Sequence, residues 1–221
     1  MPYMGLACGL RAVWAASPAD VFVVGDQGTI LHYDGVGWSP QPSYANRGLE
    51  AVWGRSGKEV YAVGGAATVL RYDGRIWQLQ AIENQGRYNL QGVWGWSDQD
   101  LYVVGTEGVI ISSEEGENLT YSTVLRSVVL HSNGESWRPA PGEVQRLSPI
   151  LAVCVISPSD VYLVAGPNAT LAHFDGTSWT MTGINIPLPM AFTLNALWGT
   201  STGEIVGVGT RGTIVRRLPQ R

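Results

Sequence analysis

Short apolar runs alternate with glycine-rich polar turns along the chain, and the runs keep a fixed order that returns five times. The first run, Leu10-Arg11-Ala12-Val13-Trp14, recurs at Leu49 to Trp53, Leu90 to Trp94, Ile150 to Cys154 and Leu194 to Trp198. A serine follows each one (Ser17, Ser56, Ser97, Ser157, Ser201), then an acid three residues later (Asp20, Glu59, Asp100, Asp160, Glu204), then a β-branched run such as Val21 to Gly25. A third run, Thr29 to Tyr33 in the first copy, leads into Asp34-Gly35 and Trp38; Asp73-Gly74 with Trp77, Asn133-Gly134 with Trp137 and Asp175-Gly176 with Trp179 repeat it. Asp-Gly or Asn-Gly between apolar runs marks a hairpin, because both residue types accept positive φ. Each copy therefore reads as four antiparallel strands, A to D.

The strand-A anchors Trp14, Trp53, Trp94, Cys154 and Trp198 are spaced by 39, 41, 60 and 44 residues. Four-stranded repeats of about 40 to 45 residues characterise propeller blades, and no segment sustains a helical period. The fold class expected is all-β, a single five-bladed β-propeller over 1–221, with blades at about 10–48, 49–89, 90–149, 150–193 and 194–218. Copy five has no strand D of its own. Residues 2–9 are expected to supply it and close the ring, leaving no unpaired edge. The surplus in copy three, 108–126, reads as an added hairpin between strands B and C, with Val109 to Ser113 and Leu119 to Val124 flanking an acidic turn at 114–118 that is read as solvated.

The Tyr/Phe-Asp-Gly-x-x-Trp hairpin, with the preceding Val-Val-Gly-x-x-Gly-Thr-Ile, resembles bacterial propeller repeats of the broad BNR or Asp-box-like group over nearly the whole chain. It departs from the sialidase Asp-box because aspartate and glycine are adjacent at Asp34-Gly35, Asp73-Gly74 and Asp175-Gly176. The resemblance implies the fold and no particular activity, since propellers host unrelated functions.

Composition narrows the function by exclusion. A net charge of -4 with a single lysine, Lys58, offers no basic face to displace counterions from nucleic acid. No apolar stretch approaches the roughly 20 residues of a membrane span, and no signal peptide is read at the start, so the chain as written is expected in the cytoplasm, or at a surface if it is an excised domain. Leu6-Ala7-Cys8 is rejected as a lipoprotein box, and the sequons at Asn118 and Asn168 are too few to argue secretion. Cys8 and Cys154 fall in different blades and are expected to be free thiols.

No cofactor or metal site emerges. His32, His131 and His173 occupy one repeat position on strand C of different blades, too far apart to share a metal. The five repeated acids read as A–B turn chemistry, paired with the serine before them. Glu50 is the only acid on an inner strand, where a glycosidase needs two. Cys154 has no base beside it and reads as a small core residue. Eight of the nine tryptophans fill two repeat positions and read as packing; Trp96, in an A–B turn, is the exception and a candidate contact.

Core and turn residues repeat, whereas the second residue of strand A (Arg11, Glu50, Gln91, Leu151, Asn195) and the B–C turns do not. Equivalent glycan pockets would repeat, so the reading favours one asymmetric site for a protein partner, with a lectin as alternative and a glycoside hydrolase as a lesser one. Connectivity puts the B–C turns and D–A connections on one face, opposite Trp96. That face is expected to bind through Tyr44, Arg47, Asn84, Arg87, Tyr88, Arg146, Met190 and Phe192, types enriched at interface cores.

Overall fold

The computed structural model describes residues 8–82, 87–97, 99–115, 118–142, 144, 147, 149–166, 170–184, 192–200 and 202–218, and side chains throughout these except 108–125. Blade 1 is built of β1 (Leu10–Ser17), β2 (Asp20–Gly25), β3 (Ile30–Tyr33) and β4 (Trp38–Pro40), and blade 2 of β5 (Leu49–Ser56), β6 (Glu59–Gly64), β7 (Thr68–Tyr72) and β8 (Trp77–Leu79). Blade 3 is β9 (Tyr88–Ser97), β10 (Asp100–Glu115), β11 (Asn118–Ser132) and β12 (Trp137–Pro139). Blade 4 is β13 (Ile150–Ser157), β14 (Asp160–Ala165), β15 (Thr170–Phe174) and β16 (Trp179–Gly183), and blade 5 is β17 (Leu194–Gly199), β18 (Ile205–Gly209) and β19 (Ile214–Arg217). Each sheet is an antiparallel meander in sequence order. The chain is a five-bladed β-propeller.

Strand A of one blade packs on strand A of the next, β1 on β5, β5 on β9, β9 on β13 and β13 on β17. Four apolar clusters fill the four seams so formed. One joins Phe22, Val24 and Ile30 to Leu49, Val60 and Trp77; the next joins Trp53, Tyr61 and Val63 to Leu90, Val103 and Trp137. Because a blade is covered on both faces, strand B is apolar throughout rather than alternating: Val60, Tyr61, Ala62 and Val63 are all buried. The strand-A tryptophan sits on the strand-A glycine of the following blade. A Cβ on Gly54 would come within 2.7 Å of the Trp14 ring, and one on Gly95 within 2.9 Å of Trp53.

The seam between blade 5 and blade 1 differs. Leu49, Leu90, Ile150 and Leu194 are fully buried, but Leu10 at the same repeat position is 54% exposed; Val13 is 66% and Trp198 55% exposed, whereas Val52 and Trp53 are buried. No comparable packing joins β17 to β1 among the described residues. Of the segment expected to close the ring, residues 2–7 lie outside the described residues, and blade 5 shows three strands within them.

The hairpins form as the sequence implies, by a different device. Only the glycine is left-handed, with φ of 91° at Gly35, 90° at Gly74, 88° at Gly134 and 92° at Gly176. The preceding Asp or Asn works through its side chain: Asp34 Oδ1 accepts N–H bonds from Val36 and Gly37, both 2.9 Å, and Asp73, Asn133 and Asp175 do the same in their blades. These donors hold the Asp34, Asp73 and Asp175 carboxyls below the usual carboxylate range. A depressed folded pKa contributes stability present above the unfolded value of about 3.9 and lost as pH falls through the folded value. Changing all three to Asn, the residue blade 3 already uses, is expected to keep the turns and flatten the loss of melting temperature on acidification below about pH 4; an unchanged acid profile would contradict this.

The insertion is an outgrowth of strands B and C of blade 3. β10 and β11 pair without a break from Leu101 with Ser132 to Glu115 with Asn118. β9 accompanies β10 only as far as Glu107, so the last eight residues of β10 carry the hairpin about 26 Å beyond the blade.

Candidate functional site

The B–C turns and D–A connections form one face, and backbone bonds sew them together in blades 1, 2, 4 and 5. The residue before strand A accepts from the residue after strand B: Asp26 N bonds Gly9 O at 2.8 Å, Gly65 N bonds Gly48 O at 3.1 Å, Gly166 N bonds Pro149 O at 2.8 Å and Thr210 N bonds Thr193 O at 2.9 Å. Near the axis Arg11 reaches Asp26 Oδ1 at 2.8 Å and Glu50 Oε2 at 3.2 Å, joining blades 1 and 2. The bond to Asp26 and the charges of both carboxylates raise the Arg11 pKa above its ordinary value.

This face holds all five non-glycine residues with positive φ among the described residues. Gln27 (56°), Ala66 and Ala67 (both 55°) and Arg211 (60°) lie in B–C turns, and Tyr44 (55°) lies in the blade 1 D–A connection. Such a conformation costs a bulky residue on the order of 1 kcal/mol or more, and it persists only where the surroundings impose it. Around Tyr44 they do. Ser43 is buried and its hydroxyl donates to Gly28 O at 2.6 Å, while Ala45 N donates to Ser43 Oγ at 3.2 Å. Gly28, itself at φ 73°, leaves no room for a Cβ against Ala45 O. Tyr44 is thus pinned on both sides and left 91% exposed.

The residues expected on this face separate into three groups. Tyr44, Arg47 and Arg87 are exposed, the Arg47 stem lying over Gly65. Tyr88 and Phe192 are a correction: both are buried, Tyr88 in the blade 2–3 cluster and Phe192 in the blade 4–5 cluster, because the apolar end of each D–A connection folds under the strand it feeds. Asn84, Arg146 and Met190 lie outside the described residues. Trp96, on the opposite face, is half-exposed.

The repeated acids are corrected as well. Among the described residues the turn amides are served by the serine in four blades: Ala19, Lys58, Gln99 and Ser159 donate to Ser17, Ser56, Ser97 and Ser157. The acid instead crosses to strand C. Asp20 meets His32 Nε2 at 2.7 Å, Asp100 meets His131 at 2.6 Å, Asp160 meets His173 at 2.7 Å, Glu59 meets Arg71 at 3.5 Å, and Glu204 meets Arg216. Each imidazole also stacks on the strand-B aromatic beside it, Phe22, Tyr102 or Tyr162, with centroids 4.3 to 4.5 Å apart. The available signal was the matching of Asp with His and of Glu with Arg at the same pair of repeat positions, 12 or 13 residues apart except across the blade 3 insertion, where the offset is 31. Cys154 is fully buried and burial pushes its thiol up to about 12, so it is no thiolate at neutral pH; both cysteines are free.

The fold and this face define a β-propeller whose left-handed turns and least repeated side chains gather at one end. No protein-family model and no curated protein matches the chain. Solved structures do. YCF48 bound to D1 peptide is 14% identical, over 99% of this chain and 81% of that one, with a TM-score of 0.52. Regucalcin, a calcium-binding protein from Agrobacterium tumefaciens, is 9% identical over 95% and 70% with a TM-score of 0.64. The computationally designed Ika8 protein is 14% identical over 97% and 72% with a TM-score of 0.54. At these identities the likeness is one of fold. No helix among the described residues is long and apolar enough to cross a membrane.

Proposed function

We propose that this propeller is a non-catalytic binding module that engages a protein partner through its B–C and D–A face. The observation that carries the proposal is Tyr44, the one non-glycine residue of a D–A connection held in the left-handed region among the described residues, pinned there and displayed to solvent. The left-handed B–C turns at Gln27, Ala66, Ala67 and Arg211 recur between blades and belong to the fold. Strain of this kind gathers at binding sites because the fold, rather than local preference, sets the geometry. The similar propeller YCF48, solved with a D1 peptide bound, is in keeping with a protein or peptide partner. Glu50 engaged by Arg11, and each strand-C imidazole engaged by its own acid, favour binding over catalysis. The Asp-box-like hairpins serve as turns here, with Asp34 Oδ1 engaged by the amides of Val36 and Gly37.

Replacing Tyr44 by Gly with Arg47 by Ala separates binding from stability. Glycine relieves the left-handed strain and is expected to stabilise the fold by up to about 1 kcal/mol. Loss of two exposed anchors is expected to weaken partner binding by about 1 to 4 kcal/mol. Affinity capture compared between parent and variant, beside a glycan array, reads both: the parent's captured protein is lost from the variant and the array stays blank. A strong glycan signal, or unchanged capture, contradicts the proposal.

A further inference from the structure

The A–B turns and C–D hairpins end the blades on the face opposite Tyr44, and on blade 2 they gather three exposed cations. Arg55 and Lys58 flank the A–B turn, where the Lys58 amide donates to Ser56 Oγ at 3.3 Å, and Arg75 lies in the hairpin. The Lys58 stem rests on Gly74, its Cβ and Cγ within 3.1 Å of where a Gly74 Cβ would stand, which sets the lysine beside Arg75. None of the three forms an ion pair among the described residues, whereas Arg71 of the same blade is engaged by Glu59. Asp34 and Asp73, the acids of the first two hairpins, are turned back onto the amides that follow them. Glu135, in the place of Arg75, ends the basic area at blade 3, and Asp98 lies outside the described residues. In blades 1, 3 and 4 none of the three repeat positions is basic. The same turns hold apolar side chains out in water. Val36, in the place of Arg75 on blade 1, is 92% exposed, Ile76 beside Arg75 is 56% exposed, and Trp96, in the place of Arg55 on blade 3, is half-exposed. The blade 1 hairpin stands clear of its surroundings: a Cβ on Gly37 would meet nothing within 4 Å.

We propose that this arc of blades 1 to 3 is a docking surface for an anionic lipid bilayer, with Val36, Ile76 and Trp96 entering the headgroup region and Arg55, Lys58 and Arg75 meeting the lipid phosphates. The apolar residues sit at the tips of separate turns, a convex arrangement that a yielding surface accommodates. Tryptophan belongs at headgroup level, where its ring is in an apolar layer and its N–H is wet. Each cation held near an anionic bilayer contributes about fivefold in affinity, so three of them with a few apolar side chains suffice for reversible attachment. A nucleic-acid track draws instead on about six to ten phosphate contacts. The chain's net charge of -4 leaves the rest of the surface acidic on balance, so a negative membrane attracts this face and repels the others. The surface lies opposite the face proposed for the protein partner and leaves that face turned to solvent; neither depends on the other.

The test is co-sedimentation of the full chain with vesicles of phosphatidylcholine alone and of phosphatidylcholine with about one-third phosphatidylglycerol. Binding to the anionic vesicles and not to the neutral ones is expected, falling as salt is raised. Two variants separate the contributions: Arg55→Gln with Lys58→Gln and Arg75→Gln, and Val36→Asn with Ile76→Asn. Each is expected to weaken binding at least about tenfold while the melting temperature holds, all five positions being exposed. Tyr44→Gly with Arg47→Ala is expected to leave vesicle binding as it is. Failure to sediment with anionic vesicles, equal binding to neutral ones, or indifference to either variant would overturn the proposal. So would binding to polyglutamate or to an oligonucleotide as tight as to the vesicles, which would assign the patch to an acidic macromolecule.

Discussion

Replacing Leu90 by alanine is expected to cost about 2 to 5 kcal/mol in a denaturant titration, while the same change at Leu10 costs under about 0.5 kcal/mol. The two leucines are the same repeat position at the start of strand A. Leu90 is fully buried between Trp53, Tyr61 and Val103, so its truncation loses transfer free energy and leaves a cavity that rigid neighbouring sheets close poorly. Leu10 is half in water, and its removal takes away little that is packed. Equivalence of the repeats predicts equal costs; the exposure of Leu10 at the edge of blade 1 predicts a large difference. Equal destabilisation by the two variants would show that the seam between blades 5 and 1 is packed in solution like the other four.

Tyr88→Ala is expected to destabilise by about 3 kcal/mol or more, and Arg87→Ala by less than about 0.5 kcal/mol. The pair is adjacent in sequence and opposite in role. Tyr88 opens β9 inside the blade 2–3 cluster, and its carbonyl holds the Ala67 amide at 2.7 Å, so the residue ties a B–C turn to a D–A connection while filling the core. Arg87 is exposed beside it. A thermal melt of each variant checks this. A Tyr88→Ala protein melting with the parent would return Tyr88 to the contact surface.

The fold was legible because every blade restates it: five strand-A runs, five serine and acid pairs and four Asp/Asn-Gly hairpins cannot be satisfied by a helical or open architecture. The hairpin mechanism was half legible. The glycine's positive φ follows from residue type, but that the aspartate acts as an acceptor for two amides requires the geometry. The acid and histidine partners were hidden by reading along the chain, since Asp20 and His32 are neighbours only across the sheet, with Phe22 beside His32. The face was legible from connectivity alone. Its residues were less so, because in a D–A connection the last apolar residues turn under the next strand, and composition does not say where exposure ends: Tyr44 and Tyr88 look alike in sequence, yet one is displayed and the other is core. The left-handed backbone at Tyr44 arises from Ser43 and Ala45 being held against Gly28, a contact between parts of the chain 15 residues apart.

Placing a photo-crosslinking phenylalanine analogue at position 44, and separately at position 96, tests the central claim most directly. Both side chains are aromatics that reach solvent on opposite faces of the same ring, so each samples one face. Irradiated in the cells the protein comes from, the position-44 protein is expected to form a discrete adduct with another protein, identified by mass spectrometry, and the position-96 protein none. A discrete adduct from position 96 with none from position 44 would contradict the account.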